Sequence, residues 1–91
     1  MVSKKVEIKN PAGIYLNFAG ILCSTAMDYK ANIRLKKTGV VINAKSILNV
    51  LGGKIQYGDI IEISCDGVDE VAALDVMSEL LGSEAIEEKN E

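Results

Sequence analysis

The chain contains no histidine and no tryptophan, and it has two cysteines, one proline and one phenylalanine among its 91 residues. Without histidine and without a Cys-x-x-Cys pair, the sequence offers no ordinary set of zinc ligands, so we expect no metal site. Two cysteines are too few for the disulfide framework of a small secreted domain. Because Cys23 and Cys65 lie in apolar stretches, we expect both to be buried free thiols.

Hydropathy and charge exclude two further classes of protein. No stretch approaches the roughly 18 consecutive apolar residues of a membrane-spanning helix, and no signal-peptide core follows the first lysines. We therefore expect a cytoplasmic protein with no membrane insertion. The net charge of -3 argues against direct binding to nucleic acid, which depends on Lys and Arg neutralising phosphates.

The composition fits one small folded unit. With 48% hydrophobic and 25% charged residues, the chain is predicted to form a single globular domain over residues 1–91. Residues 84–91 are rich in glutamate and are expected to form a solvated acidic tail. Gly52-Gly53-Lys54 lacks the spacing of a phosphate-binding loop, and no cofactor is expected.

Apolar periodicity predicts four strands and three helices in the order βαββαβα. Alternation and β-branched residues predict strands over residues 2–9, 32–36, 40–43 and 60–65. Thr38-Gly39 supplies the turn of a hairpin. Apolar spacings of three and four predict helices over residues 16–27 and 70–81. Ser46 is expected to cap a short helix that ends at Gly52-Gly53.

Each helix needs one face of a sheet to bury its apolar stripe. In the first helix the stripe is predicted to comprise Leu16, Ala19, Leu22, Cys23, Ala26 and Met27. In the last helix, which Asp69 is expected to cap, it comprises Ala73, Leu74, Met77, Leu80 and Leu81. The strand over residues 60–65 is so apolar that we expect it to be central and partly covered on both faces. The chain is therefore predicted to be an open-faced two-layer α/β (α+β) sandwich.

Three segments resemble a known family. They are the run from Pro11 to Ala19, the run Asn43-Ala44-Lys45-Ser46-Ile47, and the glycines and acidic residues Gly58, Gly67, Asp69 and Glu70. In these runs the chain is similar to the HPr family, the histidine phosphocarriers of the bacterial phosphoenolpyruvate:sugar phosphotransferase system. The likeness covers nearly the whole chain. It implies a four-stranded antiparallel sheet of order 1-4-2-3 with three helices on one face.

The position of the family's phosphate acceptor carries different chemistry here. The resemblance implies a histidine at position 15 that takes phosphate from enzyme I, followed by an arginine and a proline. This chain has Tyr15, Asn17 and Phe18 at those places. A phenol with an ordinary pKa of about 10 is a weak nucleophile, and the uncharged Asn17 cannot replace a guanidinium clamp. The sequence therefore predicts a degenerate carrier position with no catalytic residue.

Two interpretations of Tyr15 follow. Tyr15 is either a phosphoacceptor that substitutes for histidine or an aromatic contact residue that, with Phe18, turns an anion site into a docking surface. Large aromatic side chains with a polar tip are common at interfaces. Because Asn17 and Phe18 differ from the family as well, we favour the contact interpretation.

Ser46 also has two interpretations, and they are compatible. Serine is a good helix N-cap, which would explain the residue without any further function. The resemblance implies in addition that Lys45-Ser46-Ile47 is the site recognised by HPr kinase/phosphorylase. A phosphate at a helix N-terminus is favoured by the helix dipole.

More apolar residues surround these two positions than the core requires. Phe18 and Ile21 lie off the predicted stripe of the first helix, and Ile47, Leu48 and Leu51 cannot all point inward from a helix of barely two turns. We expect these five residues and Tyr15 to bind protein partners, although a core that extends further around the helices would also explain them. Asn49 departs from the glycine usual in the family.

Our leading hypothesis is a regulatory, protein-binding member of the HPr family that is switched at Ser46 and has lost carrier chemistry. It resembles the family's catabolite-repression paralogues, which have another residue at position 15. The expected partners are HPr kinase/phosphorylase, catabolite control protein or phosphotransferase-system proteins. The alternatives are a phosphocarrier that uses Tyr15, and a constitutive scaffold that binds the system's components.

Overall fold

The computed structural model describes residues 1–82, and the predicted tail over residues 84–91 lies outside the described residues. The seven predicted elements are present in the predicted order. They are β1 (Val2–Glu7), α1 (Leu16–Ala26), β2 (Asn32–Lys37), β3 (Val40–Asn43), α2 (Ile47–Gly52), β4 (Ile60–Asp66) and α3 (Glu70–Gly82).

The sheet has the order β1-β4-β2-β3, and every neighbouring pair is antiparallel. β2 and β3 form the predicted hairpin. Its turn residues Thr38 and Gly39 both have positive φ, 45° and 83°, as the right-handed twist of the two strands favours. The implied order 1-4-2-3 is therefore confirmed.

The hydrophobic core lies on one face of the sheet. Alternate residues of β2 and β4 are buried there, among them Ile33, Leu35, Ile61 and Ile63. The other face of β4 is not covered by apolar side chains, and Ile60 on that face is 57% exposed. β4 is central, as expected, and the prediction that both faces are partly covered is confirmed in its middle, where Glu62 and Ser64 on the face away from the helices are half-buried. Both cysteines are buried and free.

The buried face of α1 is rotated from the predicted stripe. Phe18, Ala19, Leu22, Cys23 and Ala26 are buried, whereas Leu16 is 67% exposed and Met27 is also exposed. At about 100° per residue, a face centred near Ala19 and Leu22 leaves Leu16 and Met27 at its margin. The predictions that Leu16 and Met27 pack inward and that Phe18 points outward are therefore wrong.

The inward face of α3 follows the prediction more closely. Ala73, Met77 and Leu81 are buried, and Leu74 and Leu80 pack partly against the core. Asp69 precedes the helix as expected, but its carboxylate accepts the backbone N–H groups of Lys30 and Ala31, both at 2.8 Å. Its side chain therefore links residues 30 and 31, which lie between α1 and β2, to the start of α3 by hydrogen bonds.

Candidate functional site

Residues 10–15, which we call the Tyr15 loop, connect β1 to α1 in a tightly bonded turn. Asn10 is buried, and its side-chain oxygen accepts a backbone N–H two residues later at 3.0 Å. Its carbonyl accepts the Gly13 N–H at 2.8 Å, and the Ile14 N–H donates to the Ile55 carbonyl at 3.0 Å. The course of the loop is thus determined by backbone bonds and by Asn10, independently of the side chain at position 15.

Gly13 is the point at which the loop lies closest to the rest of the protein. Its φ is +68°, and a Cβ atom there would lie 2.7 Å from the Ile55 carbonyl oxygen and 2.9 Å from the Gln56 Cα. Both neighbours are backbone atoms that cannot rotate away. Only glycine fits this position without a shift of the loop.

The segment against which Gly13 packs is itself anchored by an ion pair. The Lys37 ammonium lies 2.9 Å from an Asp59 carboxylate oxygen and donates to the Lys54 carbonyl at 2.6 Å. The same Asp59 oxygen accepts the Gln56 N–H at 2.7 Å. This backbone hydrogen bond and the bond from Lys37 lower the pKa of the Asp59 carboxyl below its ordinary value. The support of the Tyr15 loop therefore depends on an ionised carboxylate.

Tyr15 occupies the N-cap position of α1. Its backbone is extended, with φ −110° and ψ −178°, and its carbonyl accepts the Ala19 N–H at 2.8 Å. The side chain makes no capping bond and is 37% exposed. Within residues 1–82 no base is hydrogen-bonded to the phenol, so nothing there activates it as a nucleophile.

The next two predicted site residues, Asn17 and Phe18, differ in exposure. Asn17 is exposed in the first turn of α1, where it adds an uncharged amide. Phe18 is fully buried and is among the largest side chains of the core. The prediction that Phe18 binds a partner is therefore wrong, because the phase of α1 turns its ring toward the sheet. Of the two aromatic residues expected at the surface, Tyr15 alone is exposed.

Residues 43–49, which we call the Ser46 corner, connect β3 to α2. Ser46 is the N-cap of α2, with φ −117° and ψ 114°, and its hydroxyl oxygen accepts the Asn49 N–H at 3.2 Å. The predicted cap is confirmed. Lys45 extends away to donate from its ammonium to the Tyr29 carbonyl at 2.7 Å. The hydroxyl of Ser46 is half-exposed and remains accessible beside this anchored lysine.

α2 has only six residues and buries little of its apolar surface. Val50 is its one buried residue, Leu51 packs partly against the core, and Leu48 is 83% exposed. Ile47 is also exposed, and so is Ile21 on α1. Of the apolar residues predicted to meet a partner, Ile21, Ile47 and Leu48 are therefore available at the surface, while Leu51 is divided between surface and core.

A groove of about 540 Å³ lies between α1 and the first residue of α2. Leu16, Asn17, Gly20 and Ile21 line it from α1, and Ile47 lines it from α2. Leu16 and Gly20 were not among the predicted site residues. A glycine inside a helix is costly and leaves the helix surface open, so Gly20 could have indicated the groove from the sequence. The groove is formed by α1 together with Ile47 at the start of α2.

Among residues 1–82, no group of three or more potential metal-ligating side chains comes together. In the same part of the chain, no helix has the length and apolar content needed to cross a membrane.

A family model and a curated protein sequence indicate the same relatives. Residues 2–83 match the family described as PTS HPr component phosphorylation site. The phosphocarrier protein HPr of Treponema pallidum is 33% identical over 88 residues, which cover 97% of this chain and all of that protein.

Solved structures with this fold come from the same group of proteins. HPr from Thermoanaerobacter tengcongensis superposes with a TM-score of 0.89 at 30% identity, covering 97% of this chain and 99% of that one. Crh, the catabolite repression containing protein of Bacillus subtilis, superposes with a TM-score of 0.75 at 26% identity and covers 96% and 100% of the two chains. The crystal of Crh contains a domain-swapped dimer.

Proposed function

This chain belongs to the HPr family of phosphocarrier proteins, and we propose that it serves as a regulatory, protein-binding member of that family in the cytoplasm, switched by phosphorylation of Ser46. The observation that carries the proposal is the contrast between two helix N-caps. Tyr15 keeps the backbone of a phosphoacceptor site without its chemistry, whereas Ser46 keeps an accessible hydroxyl at a capped helix.

Loss of carrier activity follows from the side chains at the start of α1. A carrier must accept a phosphoryl group and pass it on, which phosphohistidine does through a reactive nitrogen–phosphorus bond. A tyrosine ester is too stable to pass the group on readily, and within residues 1–82 no base is hydrogen-bonded to the Tyr15 phenol. The first turn of α1 contains no charged side chain that could hold a phosphate, since Asn17 is neutral.

A phosphate on Ser46 would enter a favourable place. It would bring nearly two negative charges to the N-terminus of α2, where backbone N–H groups are unpaired and the helix dipole is positive. It would replace the weak bond between the Ser46 hydroxyl and the Asn49 N–H. The modification therefore changes the charge of the surface while leaving the fold intact.

The groove between α1 and α2 is the proposed docking surface. Ile21 and Ile47 expose apolar side chains along it. The exposed Leu48 follows Ile47 on α2, and Tyr15 and Ser46 directly precede the lining residues Leu16 and Ile47 in the chain. Exposed apolar residues gathered around a groove are typical of a protein interface. The expected partners are HPr kinase/phosphorylase, catabolite control protein and proteins of the phosphotransferase system. Crh, a relative described as a catabolite repression protein, offers a precedent for such a role.

The proposal is tested by intact mass spectrometry after incubation with HPr kinase/phosphorylase and ATP. We expect the wild type to gain about 80 Da, the mass of one phosphoryl group, and Ser46→Ala to gain nothing. Ser24→Ala is the matched control, because Ser24 is exposed on α1 beside the same groove. A wild type that remains unmodified would contradict the switch.

A constitutive scaffold is the second candidate function. It is favoured by the exposure of Ile47 and Leu48, which are available to a partner before any phosphate is added. Affinity for purified phosphotransferase components separates the two functions. The scaffold predicts equal binding by unmodified and Ser46-phosphorylated protein, whereas the switch predicts a difference.

A further inference from the structure

Asn43, the last residue of β3, makes three hydrogen bonds to residues 45–49. Its backbone N–H donates to the Asn49 side-chain oxygen at 2.6 Å, and its carbonyl accepts the Ser46 N–H at 3.1 Å. Its own side-chain oxygen accepts the Lys45 N–H at 3.0 Å. Since an amide N–H can donate only to an acceptor, the Asn49 carboxamide must present its oxygen to β3.

These bonds close the exposed edge of the sheet. β3 is the last strand in the order β1-β4-β2-β3, so backbone groups on its outer side have no strand to pair with. At Asn43 the outward groups are instead bonded by Asn49 and by Ser46. The Asn49 side chain therefore attaches the first turn of α2 to the sheet.

α2 needs this attachment more than a longer helix would. It has six residues and one buried side chain, Val50, so neither length nor burial holds its first turn firmly. The Asn49 backbone N–H also donates to the Ser46 hydroxyl. Asn49 thus contacts both the edge of β3 and the hydroxyl that our proposed function assigns to phosphorylation.

We infer that Asn49 is a positioning residue for Ser46: its side-chain bond to Asn43 holds the first turn of α2 in the arrangement that presents the Ser46 hydroxyl to a kinase. This inference rests on the proposed function. A kinase binds its acceptor serine in one conformation. Opening of the turn lowers the fraction of the protein that is in this conformation, and the apparent KM rises by the factor by which that fraction falls. A glycine at this position could not make the bond.

The test combines hydrogen exchange with steady-state kinetics on four proteins: wild type, Asn49→Ala, Asn49→Asp and Asn32→Ala. Asn49→Ala removes the bond, and Asn49→Asp keeps an acceptor oxygen of the same reach. Asn32→Ala controls for loss of an exposed asparagine from the sheet. The two measurements are the exchange rate of the Asn43 amide, and KM and kcat for Ser46 phosphorylation by HPr kinase/phosphorylase.

Loss of one such hydrogen bond shifts an opening equilibrium by about fivefold. For Asn49→Ala we expect the Asn43 amide to exchange at least about fivefold faster, KM to rise by about two- to fivefold, and kcat to change by less than about twofold. Asn49→Asp and Asn32→Ala should stay close to wild type in both measurements.

The outcomes separate the two proposals. A wild type that the kinase does not phosphorylate overturns the proposed function, and the role of Asn49 with it. A wild type that is phosphorylated normally, together with an unchanged KM or an unchanged Asn43 exchange rate in Asn49→Ala, overturns the positioning role alone. A fall in kcat at constant KM also overturns it, because opening of the turn does not act on the chemical step.

Discussion

The Tyr15 loop and the Ser46 corner both end in the N-cap of a helix that borders the same groove, and they hold their helices in different ways. At Tyr15 the side chain contributes no capping bond, and the path of the backbone is determined by Asn10, Gly13 and the Ile55 carbonyl. At Ser46 the side chain itself forms the cap. Replacement of the side chain at position 15 is therefore expected to cost little stability, which is compatible with the proposed loss of carrier chemistry.

The largest effect is expected where the core extends beneath the groove. Phe18→Ala should lower the free energy of unfolding by about 3–5 kcal/mol, because it removes a fully buried ring. Leu48→Ala should change it by less than about 0.5 kcal/mol, since Leu48 is largely exposed. Urea unfolding measures both. Similar costs for the two would mean that Phe18 belongs to the surface after all.

The next effect tests whether backbone packing holds the Tyr15 loop. Gly13→Ala should destabilise the protein by about 2–4 kcal/mol, because its Cβ would meet the Ile55 carbonyl at a positive φ. Gly20→Ala is the matched control. A Cβ at Gly20 meets nothing within 4 Å, so the better helix former should add about 0.5–1 kcal/mol of stability. A tolerated Gly13→Ala would show that the loop is not held in this way.

A smaller effect compares the two caps directly, because each variant deletes one hydroxyl oxygen. Ser46→Ala should cost about 1 kcal/mol, the usual value of a serine N-cap. Tyr15→Phe should cost less than about 0.5 kcal/mol, since the Tyr15 side chain makes no capping bond. Thermal unfolding at neutral pH measures the pair. Equal costs would remove the distinction between the two N-caps.

The smallest effect concerns pH and the support of the Tyr15 loop. The folded-state pKa of Asp59 is lowered by the Gln56 N–H and by Lys37, so its ionised form stabilises the folded protein above the ordinary value of 3.8. That stability is lost as the pH falls through the lowered pKa. The unfolding midpoints of wild type and Asp59→Asn should differ at neutral pH and converge as the pH falls through the lowered pKa of Asp59.

A matched substitution controls for the general effect of losing an acidic side chain. The Asp75 carboxylate on α3 makes no hydrogen bond or ion pair within residues 1–82, so Asp75→Asn should follow the wild type at every pH. A constant gap between wild type and Asp59→Asn down to low pH would contradict the role of the ionised carboxylate.

Local patterns were sufficient to predict the order of the strands and helices, whereas the sheet order 1-4-2-3 was implied by the resemblance to the HPr family. Strand alternation, the Thr38-Gly39 turn and the Ser46 cap depend on neighbouring residues, and each is confirmed. The buried face of α1 was harder to predict, because Phe18 and Leu16 are both apolar and only the packed sheet decides which of them turns inward. Periodicity alone cannot choose between two adjacent apolar stripes.

The sequence was sufficient to predict which residues of the candidate site are exposed, but not the hydrogen bonds that hold them. Tyr15, Ile47 and Leu48 are exposed and Ser46 is half-exposed, as expected, whereas the groove beside Ile47 was not predicted. The bond from the Asn43 N–H to Asn49 depends on how the corner folds back on an edge strand, and no motif announces it. The carboxylate of Asp69 likewise bonds to a loop 38 and 39 residues away along the chain.

Incubation with enzyme I and phosphoenolpyruvate tests whether the Tyr15 loop retains its shape without phosphoryl transfer. Intact mass and acid-stability measurements on wild type and Tyr15→Phe report any phosphate at this position. We predict that neither protein gains mass. An acid-stable gain of about 80 Da on the wild type that is absent from Tyr15→Phe would contradict the account and assign Tyr15 as a phosphoacceptor.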